Sequence, residues 1–390
     1  MNKALNISGD WLQGPVQRVF GLLEGHGFEA YLVGGCVRNA LLGVPVNDLD
    51  LATNARPDKM LEICEEAKIR VIPTGIDHGT VTILIGEDHF EVTTYRKDVE
   101  TDGRRAVVAF SDDIKTDAKR RDFTINALYA DRNGEIKDPL GGLKDIPGPL
   151  IRFIDEADER IREDGLRILR FFRFFAAYGD PETGLDPDGL SAIASNLEML
   201  DGLSAERIGA EMKKLLSTRD PSPALASMEH AGVLARIMEG ATSAPLAPLV
   251  HVENDRTPRW TRRLAAIGGA CVSGRLRLSK SDLKALQAIK TIVEDGLSTP
   301  LAAYKFGADA ALDAALITAS LSGQMLGPDI EEHARKGAAL VFPLKGRDLA
   351  GKVKPGPKLG EVLRRLEEEW IKAHFAPTRE ELLENLDRFI

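Results

Sequence analysis

The sequence predicts an α+β protein in which a small mixed-sheet head is followed by an all-helical remainder. Between residues 28 and 140, short apolar runs typical of strands alternate with segments of helical spacing. After about residue 155 the strand signals disappear, and apolar residues recur at helical intervals between proline and glycine breaks. We therefore expect a head at residues 1–145, a helical neck at 146–220, and a helical body and tail at 221–390.

The individual elements follow from the apolar pattern and its flanking residues. The expected strands lie at 28–33, 48–53, 69–72, 80–85, 89–95 and near 127–131. The fourth and fifth strands are expected to pair as a hairpin across Gly86, Glu87 and Asp88. The expected helices lie at 36–43, 57–67, 113–127, 156–178, 188–199, 204–217, 222–231, 260–272, 280–294, 308–321, 329–339 and 358–373.

Composition and charge exclude several classes of protein. The N-terminus lacks the apolar core of a signal peptide, and no apolar run is long enough to span a bilayer. Three isolated cysteines, Cys36, Cys64 and Cys271, have no metal-ligand spacing and suggest a reducing compartment, so we expect a cytoplasmic protein. A net charge of −9 argues against nonspecific coating of nucleic acid, but it allows a compact RNA held on a local basic surface.

The first motif combines a glycine turn with two acidic residues. Gly34 and Gly35 follow an expected strand and form a turn without side chains, which a phosphate can approach closely. Arg38 lies on the short helix that follows. Asp48 and Asp50 are two residues apart in a strand pattern, so both carboxylates are expected on one face. A carboxylate pair facing a bare glycine turn suits a magnesium–triphosphate site.

The second motif spans residues 120–128 and is expected to be helical. Its apolar residues would pack inward, leaving Arg120, Arg121 and Asn126 free to face a ligand. Arginine suits phosphate because its planar fork donates two parallel hydrogen bonds and stays charged. The alternative is a helix surface with ordinary solvated arginines.

The third motif, residues 163–173, allows two interpretations. On one helix, Arg167 would lie three residues after Asp164 and four after Glu163, which is the spacing of weak intrahelical ion pairs. Alternatively, Asp164 and Arg167 read a base. Cytosine and adenine both present an amino donor beside an unprotonated ring nitrogen, which a carboxylate and a guanidinium match. Guanine and uracil would leave these buried polar groups unpaired.

The first motif, with Arg38 between the glycine turn and the acidic pair, resembles the nucleotidyltransferase superfamily that includes DNA polymerase β. In their order, the three motifs resemble the class II CCA-adding tRNA nucleotidyltransferases and the related bacterial poly(A) polymerases. Further similarities are the family's flexible loop at 102–110, its head-closing signature at 138–142, and its neck-helix motif at 204–208 with Glu211. The chain departs from the family at Cys36, where a small residue such as alanine is usual, and at Asn39, where many members carry aspartate.

The resemblance implies a five-stranded catalytic head and a metal-dependent reaction that adds C, C and A to the 3′ end of tRNA from CTP and ATP, without a template and with release of pyrophosphate. It implies tRNA as the partner, with no membrane and no obligate protein partner. Asp48 and Asp50 would hold Mg²⁺, with Glu91 as a third carboxylate; an exposed hairpin residue is the alternative for Glu91. The nucleotide would be bound by Gly34, Gly35, Arg38, Arg121, Asp164, Arg167, Arg170 and Arg173, the last two by holding phosphate or by bracing the base readers.

Other functions remain open on the same scaffold. They are a poly(A) polymerase, an enzyme that adds only CC or only A, and an RNA-binding protein without chemistry. Near the C-terminus, Lys352, Lys354 and Lys358 flank Pro355–Gly356–Pro357 in a local basic cluster, which we expect to bind tRNA. The alternative is a solvated helix whose glutamates at 367–369 balance the charge.

Overall fold

The computed structural model describes residues 6–101, 106–269, 272–324 and 326–389. The chain divides into two compact units. The first unit is Met1–Ser243 with Gly269–Arg277, and the second is Ala244–Gly268 with Leu278–Ile390. Boundaries at 145 and 220 stay predictions. Within the segment that resembles the flexible loop, residues 102–105 lie outside the described part of the chain.

The strands of the first unit form a mixed sheet, as predicted. They are β1 Ala30–Val33, β2 Asp50–Thr53, β3 Arg70–Gly75, β4 Thr80–Ile85, β5 Asp88–Thr94, β6 Arg96–Thr101, β7 Ala106–Phe110, β8 Tyr129–Ala130 and β9 Ile136–Lys137. The main sheet has seven strands in the order β3-β4-β5-β2-β1-β8-β9, and β6 pairs with β7 separately. The expectation of five strands was therefore wrong. Among the strands of the described residues, only β2 and β5 pair in parallel. The β4–β5 hairpin is confirmed.

α-Helices occur in both units of the described chain. They are α1 Val16–Gly25, α2 Gly35–Leu41, α3 Pro57–Glu66, α4 Ile114–Lys119, α5 Ala157–Glu163, α6 Leu166–Tyr178, α7 Pro187–Ser195, α8 Ala205–Leu216, α9 Ser222–His230, α10 Val233–Ile237, α11 Leu246–Glu253, α12 Trp260–Ile267, α13 Val272–Leu276, α14 Lys280–Glu294, α15 Thr299–Phe306, α16 Ala308–Ser322, α17 Ile330–Ala338, α18 Pro357–Lys372 and α19 Arg379–Glu384. None of the described helices is long and apolar enough to cross a membrane.

Both faces of the central strands are buried. Leu32 and Leu51 belong to one apolar cluster, whereas their chain neighbours Val33 and Ala52 belong to another. This division follows from the strand period, since successive side chains point to opposite faces. The sheet is therefore fixed from both sides, which holds the ends of β1 and β2 rigidly in place.

The helix expected over 113–127 is only partly present. α4 ends at Lys119, Phe123 is extended, and residues 124–126 make a single 3₁₀ turn. Phe123 forms an isolated antiparallel bridge with Phe153, and the two rings pack at 5.1 Å. A long-range pairing has thus overridden the local helical spacing of the second motif.

The second unit contains a buried ionic network. Arg262 and Arg263, each 1% exposed, donate to opposite oxygens of the Glu253 carboxylate, at 2.6 and 2.7 Å. Arg262 also pairs with buried Asp313 at 3.1 Å. Burial raises the pKa of Asp313 to about 6, although Arg259 and Arg262 oppose the shift. This network ties α11, α12 and α16 together.

Candidate active site

The glycine turn of the first motif lies where β1 passes into α2. Gly34 has φ +73°, in the region that favours glycine, and a Cβ there would meet the Arg121 guanidinium at 3.3 Å. The structure thus brings the backbone of the first motif against an arginine of the second.

Asp48, Asp50 and Glu91 line one cavity of about 400 Å³. The strand expected from 48 begins only at Asp50, so Asp48 precedes the strand rather than sharing its face. Glu91 lies directly opposite Asp50 in the parallel β2–β5 register, which directs both side chains to the same side of the sheet. Glu91 is indeed an exposed hairpin residue, as the alternative held, but its exposed side opens into the carboxylate cavity.

The charge of this cavity perturbs Asp50. The Asp50 side chain opens into the cavity, but the surrounding protein removes part of its hydration, which raises the pKa of the carboxyl. Glu91 and Asp48 raise that pKa further. Arg121 acts in the opposite direction. Three carboxylates therefore repel one another in a space that one arginine only partly neutralises.

A second cavity, of about 370 Å³, is lined by all three motifs. Its lining residues are Gly34, Gly35, Arg38, Arg120, Arg121, Asp122, Asn126, Asp164, Arg167, Arg170 and Phe174. Every predicted nucleotide-binding residue except Arg173 lines it. We call this the arginine cavity, and the first one the carboxylate cavity. Because Arg121 lines the arginine cavity and acts on Asp50, the two cavities lie within electrostatic reach.

Arg38 is a buried cation held by neutral partners. Its side chain is 6% exposed and donates to Asn39, to Asn126 and to the Tyr178 hydroxyl, the last at 2.8 Å. Burial lowers the pKa of Arg38, with Tyr178 opposing the shift. Among the described residues, no carboxylate forms an ion pair with it, although Asp122 also opposes the shift, so an anion entering the cavity would find a positive charge that is only partly compensated.

Asp117, which sequence reasoning missed, holds the arginines of the second motif. The carboxylate is 1% exposed and accepts from Arg120 at 2.8 Å, from Arg121 at 3.0 Å and from the Tyr129 hydroxyl at 2.8 Å. Burial opposes ionisation, but Arg121 and Arg120 outweigh it and hold the pKa of Asp117 at about 2. Its position three and four residues before two arginines is the signal that would have revealed it. Arg120 and Arg121 are therefore paired and half-buried.

The third motif is not one continuous helix. Asp164 has extended backbone between α5 and α6, and its carboxylate accepts from the backbone N–H of Leu166 at 3.1 Å. A Cβ on Gly165 would meet the carbonyl oxygen of Met199 at 2.5 Å, so the turn passes too close to that backbone for a side chain. The second carboxylate oxygen of Asp164 accepts from Arg207 at 2.6 Å. The expected helix over 156–178 was therefore wrong at its middle.

Arg167 is held from several sides. It pairs with Glu163, as the ion-pair interpretation predicted, and Nη1 also donates to the Arg160 carbonyl at 2.8 Å. Nη2 reaches the Arg120 carbonyl at 3.3 Å. These contacts fix the guanidinium at the wall of the arginine cavity without using all of its donors.

Arg170 and Arg173 follow on the same helix and are occupied by carboxylates. Arg170 Nε donates to Asp122 at 2.7 Å, and Arg173 Nε donates to Glu211 at 2.6 Å. Glu211 lies on α8, so these pairs connect the second motif, α6 and α8. Of their two predicted roles, the contacts favour bracing over phosphate binding.

Comparison with known proteins places the chain in a family. Residues 30–152 match the family described as the poly A polymerase head domain, and residues 184–244 match a probable RNA and SrmB-binding site of polymerase A. The chain is 33% identical over 387 residues to the human mitochondrial CCA tRNA nucleotidyltransferase 1, covering 91% of this chain and 86% of the human one. It is 33% identical over 398 residues to the CCA-adding enzyme of Limosilactobacillus fermentum, covering 95% of each.

The chain belongs to the CCA-adding enzyme family. The Bacillus stearothermophilus CCA-adding enzyme, solved in complex with CTP, matches with a TM-score of 0.76 and 28% identity, covering 96% of this chain and 97% of that chain. The Thermotoga maritima enzyme, complexed with tRNA_CCA, matches with a TM-score of 0.68 but only 19% identity, which shows the fold alone. The predicted fold class is confirmed.

CCA-adding enzymes, as nucleotidyltransferases, generally use a divalent metal. The carboxylate cavity fits one, because hard cations prefer carboxylate oxygens and would relieve the repulsion on Asp50. Across the residues with described positions, no group of three or more His, Cys, Asp or Glu side chains is arranged to hold an ion by itself. Magnesium commonly binds through one or two carboxylates together with waters and substrate phosphates, so such a group is not required.

The predicted RNA-binding lysines lie in the second unit, outside the two matched segments. Lys352, Lys354 and Lys358 are all exposed, before and at the start of α18. None of them forms an ion pair with any described residue. The alternative was that the glutamates at 367–369 balance the charge of these lysines. Two of those glutamates have other partners, since Glu368 lies 4.0 Å from Arg364 and Glu369 pairs with Lys372 at 2.8 Å. The lysine cluster therefore keeps its positive charge.

Proposed function

We propose that this chain adds C, C and A to the 3′ end of tRNA from CTP and ATP, without a nucleic-acid template. The observation that carries the proposal is the arginine cavity, where all three motifs meet within electrostatic reach of the carboxylate cavity. The names of the relatives agree with this proposal, since proteins named CCA tRNA nucleotidyltransferase or CCA-adding enzyme match most of the chain. Two pockets made only for structure would not place a buried cation without an ion pair in one and three carboxylates in the other.

In the proposed reaction, the 3′-hydroxyl of tRNA attacks the α-phosphate of the nucleotide in line, and pyrophosphate leaves. Asp48 and Asp50, with Glu91 nearby, would hold Mg²⁺, which neutralises phosphate charge and lowers the proton affinity of the hydroxyl. Arg38 and Arg121 would bind the triphosphate beside the turn at Gly34 and Gly35. The positive charge of these two arginines is not fully compensated within the protein, so the negatively charged triphosphate would neutralise it.

We assign base selection to Asp164 and Arg167. Both line the arginine cavity, and both keep hydrogen-bonding capacity beyond the contacts with Arg207 and Glu163. A carboxylate has about four lone-pair positions, of which two are engaged here. Arg170 and Arg173 would keep this helix in position through Asp122 and Glu211.

Poly(A) polymerase is the second candidate, because the matched head domain carries that name. The test incubates the purified chain with Mg²⁺ and a tRNA lacking its three terminal nucleotides, with CTP and ATP separately and together, and then sequences the products. CCA ends support the proposal, and long A tails support the second candidate. Ends of CC alone or of A alone would identify a split enzyme, and absence of addition would leave an RNA-binding protein.

The metal and the compartment are tested separately. We propose Mg²⁺ because the carboxylate cavity supplies carboxylate oxygens, the ligands that hard cations prefer; omission of Mg²⁺ with added chelator should abolish addition, and its return should restore it. We propose the cytoplasm because the two described cysteines, Cys36 and Cys64, are free and buried, as in a reducing compartment. Cell fractionation checks this, and a mitochondrial location, as named for the human relative, would contradict it.

A further inference from the structure

Tyr178 is the last residue of α6 and contacts Arg38 in two ways. The tyrosine hydroxyl accepts a hydrogen bond from Nη2 of Arg38 at 2.8 Å. The guanidinium carbon also lies 4.0 Å from the centroid of the Tyr178 ring. One side chain therefore supplies both a polar and a π contact to the same cation.

The remaining contacts of Arg38 leave it dependent on this residue. Asn126 accepts from Nη1, Asn39 accepts from Nη2 and Nε, and the Phe174 ring lies 5.2 Å from the guanidinium carbon. All of these partners are neutral. Without a carboxylate to hold it, the orientation of a long arginine side chain rests on such contacts, of which Tyr178 makes the nearest ring contact.

Tyr178 itself does not line the arginine cavity, whereas Arg38 and Phe174 do. A ligand in that cavity would touch Arg38 and not the tyrosine. Any effect of Tyr178 on a ligand must therefore pass through the guanidinium. Because the tyrosine hydroxyl is neutral, it orients the Arg38 guanidinium and leaves its positive charge in place. A carboxylate in the same position would neutralise that charge.

We propose that Tyr178 is a positioning residue that holds the Arg38 guanidinium toward the β- and γ-phosphates of the incoming nucleotide. The inference rests on the proposed function, because it takes a nucleoside triphosphate as the ligand. It predicts that Tyr178 acts on the phosphates and not on the base. Replacement of Tyr178 should therefore weaken the binding of CTP, leave the binding of CMP unchanged, and leave the preference for CTP over UTP unchanged.

The experiment measures equilibrium binding of CTP, UTP and CMP, together with KM and kcat for nucleotide addition, in the full chain. Tyr178→Phe removes only the hydroxyl and should weaken CTP binding about threefold to tenfold. Tyr178→Leu removes the ring as well and should weaken it about tenfold to a hundredfold, so that phenylalanine rescues part of the loss. KM for CTP should rise more than kcat falls.

The matched control is Tyr304→Phe in the second unit, which likewise loses one tyrosine hydroxyl, in this case one that donates to the Glu367 carboxylate. It should bind CTP as the wild type does. Equal weakening of CTP and CMP by Tyr178→Phe, unchanged or tighter CTP binding, or a lost preference for CTP over UTP would each overturn the inference. Failure of the wild type to bind CTP or to add nucleotides would instead refute the proposed function.

Discussion

Asp50 lies among carboxylates that repel one another, and a divalent cation would relieve that repulsion. Asp48→Ala or Asp50→Ala should abolish nucleotide addition while leaving tRNA binding nearly intact, because the proposed RNA contacts lie elsewhere. The measurement pairs single-turnover addition with a tRNA-binding assay. Asp58→Ala, which removes an acidic residue from the first turn of α3, is the control. Addition within tenfold of the wild type in either variant would contradict the assignment.

Selectivity is the residue-level test of the third motif. Asp164→Ala or Arg167→Ala should lose rate and also discrimination against UTP and GTP, since each lost paired contact costs about 1–3 kcal/mol. Incorporation of all four nucleotides into the same tRNA measures this. Arg162→Ala removes an exposed ion pair with Asp158 on α5 and a hydrogen bond to Asn196, none of which lines the arginine cavity, and should leave selectivity unchanged. Undiminished selectivity in both test variants would restore the ion-pair interpretation.

The buried Asp117 carboxylate should make the stability of the folded chain depend on pH in the acid range. Its pKa is about 2 in the folded chain against an ordinary value of 3.8, so the unfolded state binds the proton more readily. The stabilisation is fully present above the ordinary value and is lost as pH falls through about 2, and it amounts to roughly 2 kcal/mol. Asp117→Asn should reduce stability at pH 7 by about 1–3 kcal/mol and flatten the loss of stability below pH 4.

Chemical denaturation from pH 7 down to pH 2 measures this effect. The same variant should also raise KM for CTP, because Asp117 holds Arg121 at the arginine cavity. An unchanged acid profile would refute the electrostatic role of Asp117, even if the variant were less stable at pH 7.

Among the elements, two short 3₁₀ turns of the head, Thr124–Asn126 and Gly142–Asp145, depend on close backbone packing. Gly142 begins one turn, and a Cβ there would meet the carbonyl oxygen of Thr124, in the other turn, at 2.3 Å. Gly142→Ala should therefore destabilise the chain by about 1–3 kcal/mol and lower its Tm. Gly21→Ala is the matched control, since Gly21 is exposed on α1 and nothing lies within 4 Å of a Cβ there. It should stabilise by about 0.5–1 kcal/mol, and equal effects of the two would refute the packing argument.

At the scale of the whole molecule, the chain is acidic but carries a local group of unpaired lysines. Replacing Lys352, Lys354 and Lys358 with alanine should weaken tRNA binding and flatten its salt dependence, because fewer counterions are released. Addition to an acceptor-stem minihelix should change little, since we expect such a substrate not to reach the tail. The comparison therefore uses full tRNA and minihelix with each protein.

The charge-matched control replaces Lys280, Lys284 and Lys290, which are exposed on α14 of the same unit. It should affect tRNA binding less than the test variant does. Equal losses on tRNA and minihelix, or no loss on either, would refute the proposed RNA contact.

The sequence by itself determined the fold class and the family. Strand and helix periodicities are local, so the change from a mixed sheet to helices near residue 155 was readable from the chain alone. The short segments that carry Gly34–Gly35 and Asp48 with Asp50 were equally readable, because each is local; that the two face one site stays a prediction. The same holds for the β4–β5 hairpin, whose register follows from its short turn.

The tertiary structure decided what touches each of these residues. The break at Asp164 depends on the approach of Met199, and the extended backbone at Phe123 depends on Phe153, neither of which is near in sequence. Arg38 donates a hydrogen bond to the Tyr178 hydroxyl, 140 residues away in the chain. Contacts of this kind are fixed by packing across the whole first unit, so they cannot be predicted from the local conformational preferences of the residues.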